Sequence, residues 1–271
     1  GDKNINSYVY PQYPMEKIMD TMRPIYEKAV ADAKAADTPE KRRGVGIAWG
    51  GFNVTEGGGD SAEVALELMP GNKIRKYDTW HAMGQGATTG SLVVTLEALK
   101  EMHLTPEDIQ LIQNDTKTCP DTGMAGASRS LYMDGNATII AANKLLAAMR
   151  KEDGTLRTYD EMKAEGIETK YLGRYETNTT PGLCRLDPNT GIGDPTPAFT
   201  YCLNLAEVEV DTKTGKTTVL KFTCVDFVGR IGNIDAVNGQ AYSGIMHGIG
   251  FALKEDYADV KIGRASCRER V

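Results

Sequence analysis

Apolar positions recur near helical spacing over residues 14–35, where Ile18, Met22, Ile25, Tyr26 and Ala29 share a face. The pattern predicts a helix there, started or broken at Pro24, because proline lacks the N–H that an interior turn needs. Residues 44–52, 62–69 and 73–79 read as strands, punctuated by the turn-rich TEGGGD and by Pro70-Gly71-Asn72, and predict a short antiparallel meander. A helix is expected from about Thr88 to Met102, then a strand over 109–114. A long helix over about 127–149 follows, with Leu131, Ala137, Ile140, Leu145 and Met149 on or near one face. Residues 151–197 are polar and rich in Gly, Thr and Pro, and read as an insertion or linker with a short helix over 159–164 and a strand over 170–177. Residues 203–210 alternate, DTKTGK turns the chain, and 217–225 return it as a hairpin. A helix over 234–257 carries Val237, Ile245, Ile249 and Leu253. Strands gathered in a meander and a hairpin, with long helices between them, predict an α+β fold of mixed sheets and long packed helices, without internal repeats.

Two glycine-rich loops each run straight into an apolar helix pattern: MGQGATTG at 83–90 and TCPDTGMAGASR at 118–129. The first turn of a helix has N–H groups without intrahelical partners and the positive end of the macrodipole, so paired loops of this kind read as cradles for a large anionic cofactor. Strand-to-helix turns that bind nothing are the alternative. A dinucleotide fold of G-x-G-x-x-G type is not matched, since Gly84, Gly86 and Gly90 miss that spacing. Asp115, Asp121, Thr122 and Ser128 are expected to cap the helix and shape the turn. Arg129 either reaches a phosphate bidentately or lies at the surface. Near the C-terminus, Gln240 sits in NGQAYSGIMHGIGFAL, where Gly239, Gly244, Gly248 and Gly250 leave one helix side nearly bare. Glycine costs about 1 kcal/mol per helical position relative to Ala, so close packing or close approach of a cofactor is implied. His247 is expected to be a packed or surface residue.

Composition narrows the classes. The chain has 271 residues, 41% hydrophobic and 25% charged, with a net charge of −6 and no basic run interleaved with aromatics, which argues against nucleic acid as a partner. No apolar stretch is long enough to span a membrane, and residues 1–10 lack a signal-peptide pattern. Five cysteines without a C-x-x-C pair and three scattered histidines write neither a zinc site nor a local iron–sulfur cluster, so no metal ligand is assigned in this segment. Their scatter suits a reducing, cytoplasmic setting. The chain does not begin with Met, and IGRASCRERV after Lys261 changes composition abruptly. That decapeptide resembles one reading frame of a DNA-sequencing adapter and is expected to be a non-native tail.

The ordered set GVGIAWG, TW followed by GQGA, DTKTCPDTG followed by GASR and GNA, AEVEVDTKTGKTTV, and NGQAYSGIMHGIGFAL resembles the molybdenum-binding large subunit of the xanthine dehydrogenase and aldehyde oxidoreductase family. The likeness is greatest to the molybdopterin cytosine dinucleotide aldehyde oxidoreductases and covers residues 1–261. It implies part of a two-lobed molybdopterin-binding domain, with a lobe segment over 1–150, an insertion over 151–199 and the hairpin plus helix over 200–261. Residues 262–271 remain the non-native tail. It implies that Met83, Gly84, Gln85, Gly86 and Ala87, then Ala125, Gly126, Ala127, Ser128 and Arg129, and finally Gln240 hold a molybdopterin cytosine dinucleotide bearing molybdenum. Met83, Thr88, Ala125, Ala127 and His247 depart from residues common in the family, which leaves the dinucleotide form less firmly marked than the molybdopterin. The resemblance further implies an aldehyde substrate oxidised to a carboxylate with water as oxygen source. [2Fe–2S] clusters and a catalytic glutamate in a Gly-Val-Gly-Glu motif are expected outside this segment, which holds no catalytic residue and is expected to be inactive alone. An acceptor such as a flavodoxin or ferredoxin and a homodimer are also implied. A hydroxylase of N-heterocycles in the same family, and a non-catalytic scaffold, are the alternatives.

Overall fold

A computed structural model describes residues 14–54, 59–177, 186–193 and 196–255. The described residues between 53 and 199 form one unit, and those of 14–52 with 200–255 form another.

The first unit is built on a four-stranded sheet of order β4-β3-β2-β5. β2 (Ser61–Met69) and β3 (Lys73–Asp78) are antiparallel, with Ala65 opposite Tyr77, and are joined by a 3-10 turn at Pro70–Asn72. Gly71 and Asn72 in that turn have φ of 75° and 58°, a conformation that glycine and asparagine adopt most cheaply. β3 pairs in parallel with β4 (Ile109–Gln113), Ile74 lying opposite Ile109. A parallel pair needs a crossover, and α2 (Ala87–Ala98) supplies it. α3 (Ser130–Met149) then covers β2 and β5 (Lys170–Glu176). The core gathers Leu66, Leu68 and Ile74 from the sheet with Leu99, Leu145, Met149 and Met162.

The expected three-strand meander is corrected. β2 has both edges occupied, by β3 and β5, so the preceding strand β1 (Lys41–Val54) has no place beside it and pairs with β6 instead. Residues 159–176 are likewise built into the unit: α4 (Tyr159–Ala164), held by a capping box between Thr158 and Glu161, buries Met162 in the core, and β5 completes the sheet. α2 ends at Ala98 and yields to a 3-10 turn before His103, whose φ of 52° stops it. α3 starts at Ser130 rather than at Ala127, since Ala127 and Ser128 have φ of 48° and 52° and cannot continue into a right-handed helix.

The second unit holds the sheet β1-β6-β7. β6 (Ala198–Asp211) and β7 (Thr217–Phe227) form the expected hairpin, with Val210 opposite Thr217 and a bulge at Glu207/Val208. Asp211 Oδ1 accepts the N–H groups of Lys213 and Thr214 and so fixes the turn. α1 (Met15–Ala36) runs unbroken through Pro24. Its face of Ile18, Met22 and Ala29 is buried against Leu203 and Leu205, which offsets the hydrogen bond the proline forfeits. α5 (Ile234–Leu253) follows β7. Among the described residues no helix is long and apolar enough to cross a membrane. The end of the last predicted helix, at 256–257, and the tail at 262–271 lie outside the described residues.

Candidate functional site

The two glycine loops leave the carboxyl ends of neighbouring parallel strands. β3 ends at Asp78 and leads into α2, and β4 ends at Gln113 and leads into α3. Ligands of open sheets with parallel strands bind outside such ends.

In the first loop Gly84 and Gly86 have φ of 106° and 83°. A Cβ on Gly84 would meet nothing within 4 Å, so the backbone conformation, not crowding, calls for glycine there. Gly86 is the left-handed N-cap of α2 and provides no side-chain cap. The N–H groups of Ala87, Thr88 and Thr89 therefore find no acceptor among the described residues. The Gln85 amide is used by the loop itself: Oε1 accepts the Met83 N–H at 2.6 Å and Nε2 donates to His81 O at 2.8 Å. The Met83 side chain is exposed.

In the second loop Ala127 and Ser128 lie in the left-handed region, at a cost of roughly 1–2 kcal/mol each for L residues. Successive N–H groups in such turns form concave nests that attract anions. The N–H groups of Ala125, Gly126, Ala127 and Ser128, and those of Ser130 and Leu131 in the first turn of α3, have no acceptor among the described residues. The four residues expected to shape this region do so in different ways. Asp115 Oδ1 accepts the Lys117 N–H and is held below the usual carboxylate range by it, and Asp121 Oδ1 accepts the Gly123 N–H. Thr122, almost fully buried, donates to Glu63 O and exchanges hydrogen bonds with Thr79, while Ser128 contributes its left-handed backbone.

Arg129 is neither a surface residue nor free for a phosphate. Its side chain is 4% exposed, and all five of its N–H groups are engaged. Nε and Nη2 grip Asp60 at 2.6 and 2.7 Å, Nη2 also donates to Ser61 O, and Nη1 donates to Thr122 O and Met124 O.

A buried polar cluster at the root of both loops was not legible in the sequence. Lys76 Nζ lies 2.7 Å from Asp134 Oδ1 on α3 and 3.3 Å from Asp78 Oδ2, all three side chains being fully buried. Asp78 also accepts from Gln113 Nε2 on β4, from Ser91 Oγ on α2 and from the Trp80 N–H. Burial pushes the Asp134 carboxyl up to about 6 despite the Lys76 ammonium, and its Oδ2 has no hydrogen-bond partner. The one signal available was Asp134 itself, a carboxylate among the apolar positions of a helix.

In the second unit, the exposed Gln240 lines a cavity of about 430 Å³ between the β6–β7 hairpin and α5, with Cys202, Asn204, Phe222, Cys224 and Asp226 opposite. A Cβ at Gly239, Gly244 or Gly248 would meet nothing within 4 Å, so packing among the described residues does not explain those glycines. His247 is exposed and its Nδ1 lies 2.8 Å from Ser243 O. Burial, reinforced by the Asp226 carboxylate, pushes the Cys224 thiol up, which keeps it from acting as a thiolate.

Unpaired backbone N–H groups at two uncapped helix starts, joined to glycines without side chains, suit the phosphates and flat rings of a molybdopterin. Comparisons with known proteins agree. The family described as the molybdopterin cofactor-binding domain matches residues 21–265. The aldehyde oxidoreductase of Megalodesulfovibrio gigas is 36% identical over 261 residues, 96% of this chain and 28% of that protein. The 6-hydroxypseudooxynicotine dehydrogenase complex subunit gamma of Paenarthrobacter nicotinovorans is 25% identical over 79% of this chain and 29% of its own length. The crystal structure of the aldehyde oxidoreductase from Desulfovibrio desulfuricans superimposes with a TM-score of 0.90 at 39% identity, over 96% of this chain and 28% of that one. The chain thus spans under a third of the length of these relatives. It belongs to the molybdopterin cofactor-binding domain family.

Proposed function

We propose that this chain is cofactor-holding sequence of a molybdenum hydroxylase that oxidises an aldehyde to a carboxylate, with water as the oxygen source. The observation that carries the reading is the pair of uncapped, left-handed loops at the adjoining carboxyl ends of β3 and β4. The N–H groups of 87–89 and of 125–128 would donate to phosphate oxygens, where the helix starts add positive potential. Gly84 and Gly86 would let the cofactor come close to the backbone. The Gln240 amide would donate and accept hydrogen bonds at once. Gln85 and Arg129 act on the loops and leave the cofactor to the backbone. When bound, the molybdenum of the cofactor supplies a two-electron redox centre that exchanges oxygen with water.

Similarity to two aldehyde oxidoreductases at 36% and 39% identity supports an aldehyde over an N-heterocycle as substrate, while the cytosine dinucleotide form of the cofactor rests on the sequence resemblance alone. Electrons would leave through [2Fe–2S] clusters to a flavodoxin- or ferredoxin-like acceptor, in a homodimer. The test is elemental and nucleotide analysis of the purified complete protein, of which this chain would be one part, followed by substrate profiling. About one molybdenum per polypeptide, release of a cytidine nucleotide on acid treatment and turnover of aldehydes are expected. Absence of both metal and pterin would leave the scaffold reading in its place, and turnover confined to purines would replace the substrate.

A further inference from the structure

We infer that Asp60 is a positioning residue for the cofactor cradle: through Arg129 it locks the second glycine loop in the left-handed conformation that turns its N–H groups toward a ligand. The inference rests on the functional reading above and adds residues that touch no cofactor. Asp60 is anchored from behind. The buried Thr177 hydroxyl accepts the Asp60 N–H at 3.1 Å, and the Thr177 N–H donates to Asp60 O at 2.9 Å. The Asp60 carboxylate then takes Arg129 Nε and Nη2 in the bidentate geometry that fixes a guanidinium in plane. From that fixed plane Nη1 draws in the carbonyls of Thr122 and Met124, at 2.9 and 2.7 Å.

Those two carbonyls flank Gly123, whose φ is +79° and where a Cβ would stand 2.8 Å from both Nη atoms. The loop is therefore wrapped so closely on the guanidinium that only glycine fits at its bend. Carbonyls directed to a buried cation leave the following N–H groups, Ala125 to Ser128, without an acceptor among the described residues. The strained residues Ala127 and Ser128 lie directly before Arg129, and the Arg129 N–H closes the turn on Gly126 O at 3.0 Å. Strain of this kind persists only where the surroundings over-determine it. Here the Asp60–Arg129 pair and the Thr122 hydroxyl do so. The sequence alone offers no pointer to Asp60, 69 residues from its partner.

The test compares the parent protein with Asp60→Asn, which keeps the size and removes the charge, and with Met162→Ala, a core truncation far from the loop in sequence. Three quantities are read: unfolding in urea, hydrogen exchange of the amides of Thr122, Gly123 and Arg129, and molybdopterin retained per polypeptide after dialysis. Asp60→Asn is expected to raise exchange at the three amides at least about tenfold and to cut retention about tenfold, while Met162→Ala lowers stability comparably and leaves both other readouts unchanged. Equal losses of retention in the two variants, or unchanged exchange in Asp60→Asn, would overturn the inference. A parent protein that carries no molybdopterin overturns the functional reading instead; the lock is then decided by exchange alone, a rise at the three amides supporting it and no rise refuting it.

Discussion

Lys76 and Asp134 form a fully buried ion pair, Nζ to Oδ1 at 2.7 Å, between the strand that leads to the first glycine loop and the helix that follows the second. Removing water from both charges costs several kcal/mol per ion, so the pair is net stabilising only because Asp78, Ser91, Thr138 and Gln113 complete the network.

Breaking the cluster from its cationic side is expected to be severe. Lys76→Met leaves Asp78 and Asp134 buried without a counter-charge and should cost about 3–5 kcal/mol, read from the urea midpoint. Asp134→Asn keeps Lys76 paired with Asp78 at 3.3 Å and removes one buried charge, so it should cost no more than about 1 kcal/mol. Lys76→Met as stable as the parent would show that the cluster contributes nothing.

The same carboxyl sets a pH dependence. Asp134 is raised by burial from 3.8 to about 6 in the folded protein, so the folded state binds that proton more tightly than the unfolded one. Its contribution is fully present below pH 4, is lost as pH rises toward 6, and is level above that. The shift corresponds to about 3 kcal/mol at 1.36 kcal/mol per pH unit. The carboxylates of Asp37, Asp108, Asp153 and Glu161 are shifted down and push the other way, so the quantity to measure is a difference. Stability of Asp134→Asn minus that of the parent should climb between pH 4 and 6. A flat difference would mean that Asp134 keeps an ordinary titration.

What the sequence disclosed was local, and what it concealed was long-range. The hairpin of β6 and β7 was legible because DTKTGK lies between two alternating runs, and the glycine loops because their residues are adjacent in sequence. The meander failed because strand pattern says nothing about which edge is free, and β5, more than a hundred residues from β2, holds the edge that β1 was expected to take. Pro24 misled because propensity ignores the burial of Ile18 and Met22 that carries α1 through it. Arg129 was placed by its neighbours in sequence, whereas its partner Asp60 is brought to it by the sheet.

Gly173 marks where α3 crosses β5 most closely. A methyl group there would run into Ala137 O and stand 2.5 Å from Ala141 N, both backbone atoms of the helix that cannot swing aside. Gly173→Ala should therefore push α3 off the sheet and cost about 3 kcal/mol or more, at the upper end of overpacking effects. Gly154→Ala is the comparison, since its φ is +85° but a Cβ there meets nothing within 4 Å; backbone strain alone should cost it about 1 kcal/mol. Equal costs for the two would place the penalty in backbone conformation rather than in the helix–strand contact.

Thr79 and Thr122 join the stems of the two loops. The Thr79 N–H donates to Thr122 Oγ1 at 2.9 Å, the Thr122 N–H returns a bond to Thr79 Oγ1 at 3.0 Å, and Thr122 Oγ1 donates onward to Glu63 O. Thr122→Val keeps the shape and strips the hydroxyl, leaving the Thr79 N–H and Glu63 O without that partner in a nearly dry place; about 2–3 kcal/mol is expected. Thr79→Val removes one acceptor and should cost about 1 kcal/mol, and Thr122→Ser should retain most of the parent stability. Because both hydroxyls serve one joint, the double variant should cost less than the sum of the single ones, by roughly 0.5–1 kcal/mol in a double-mutant cycle. Strict additivity would mean that the two loops are held independently, and the first loop would then owe its shape to the Gln85 amide and its own glycines alone.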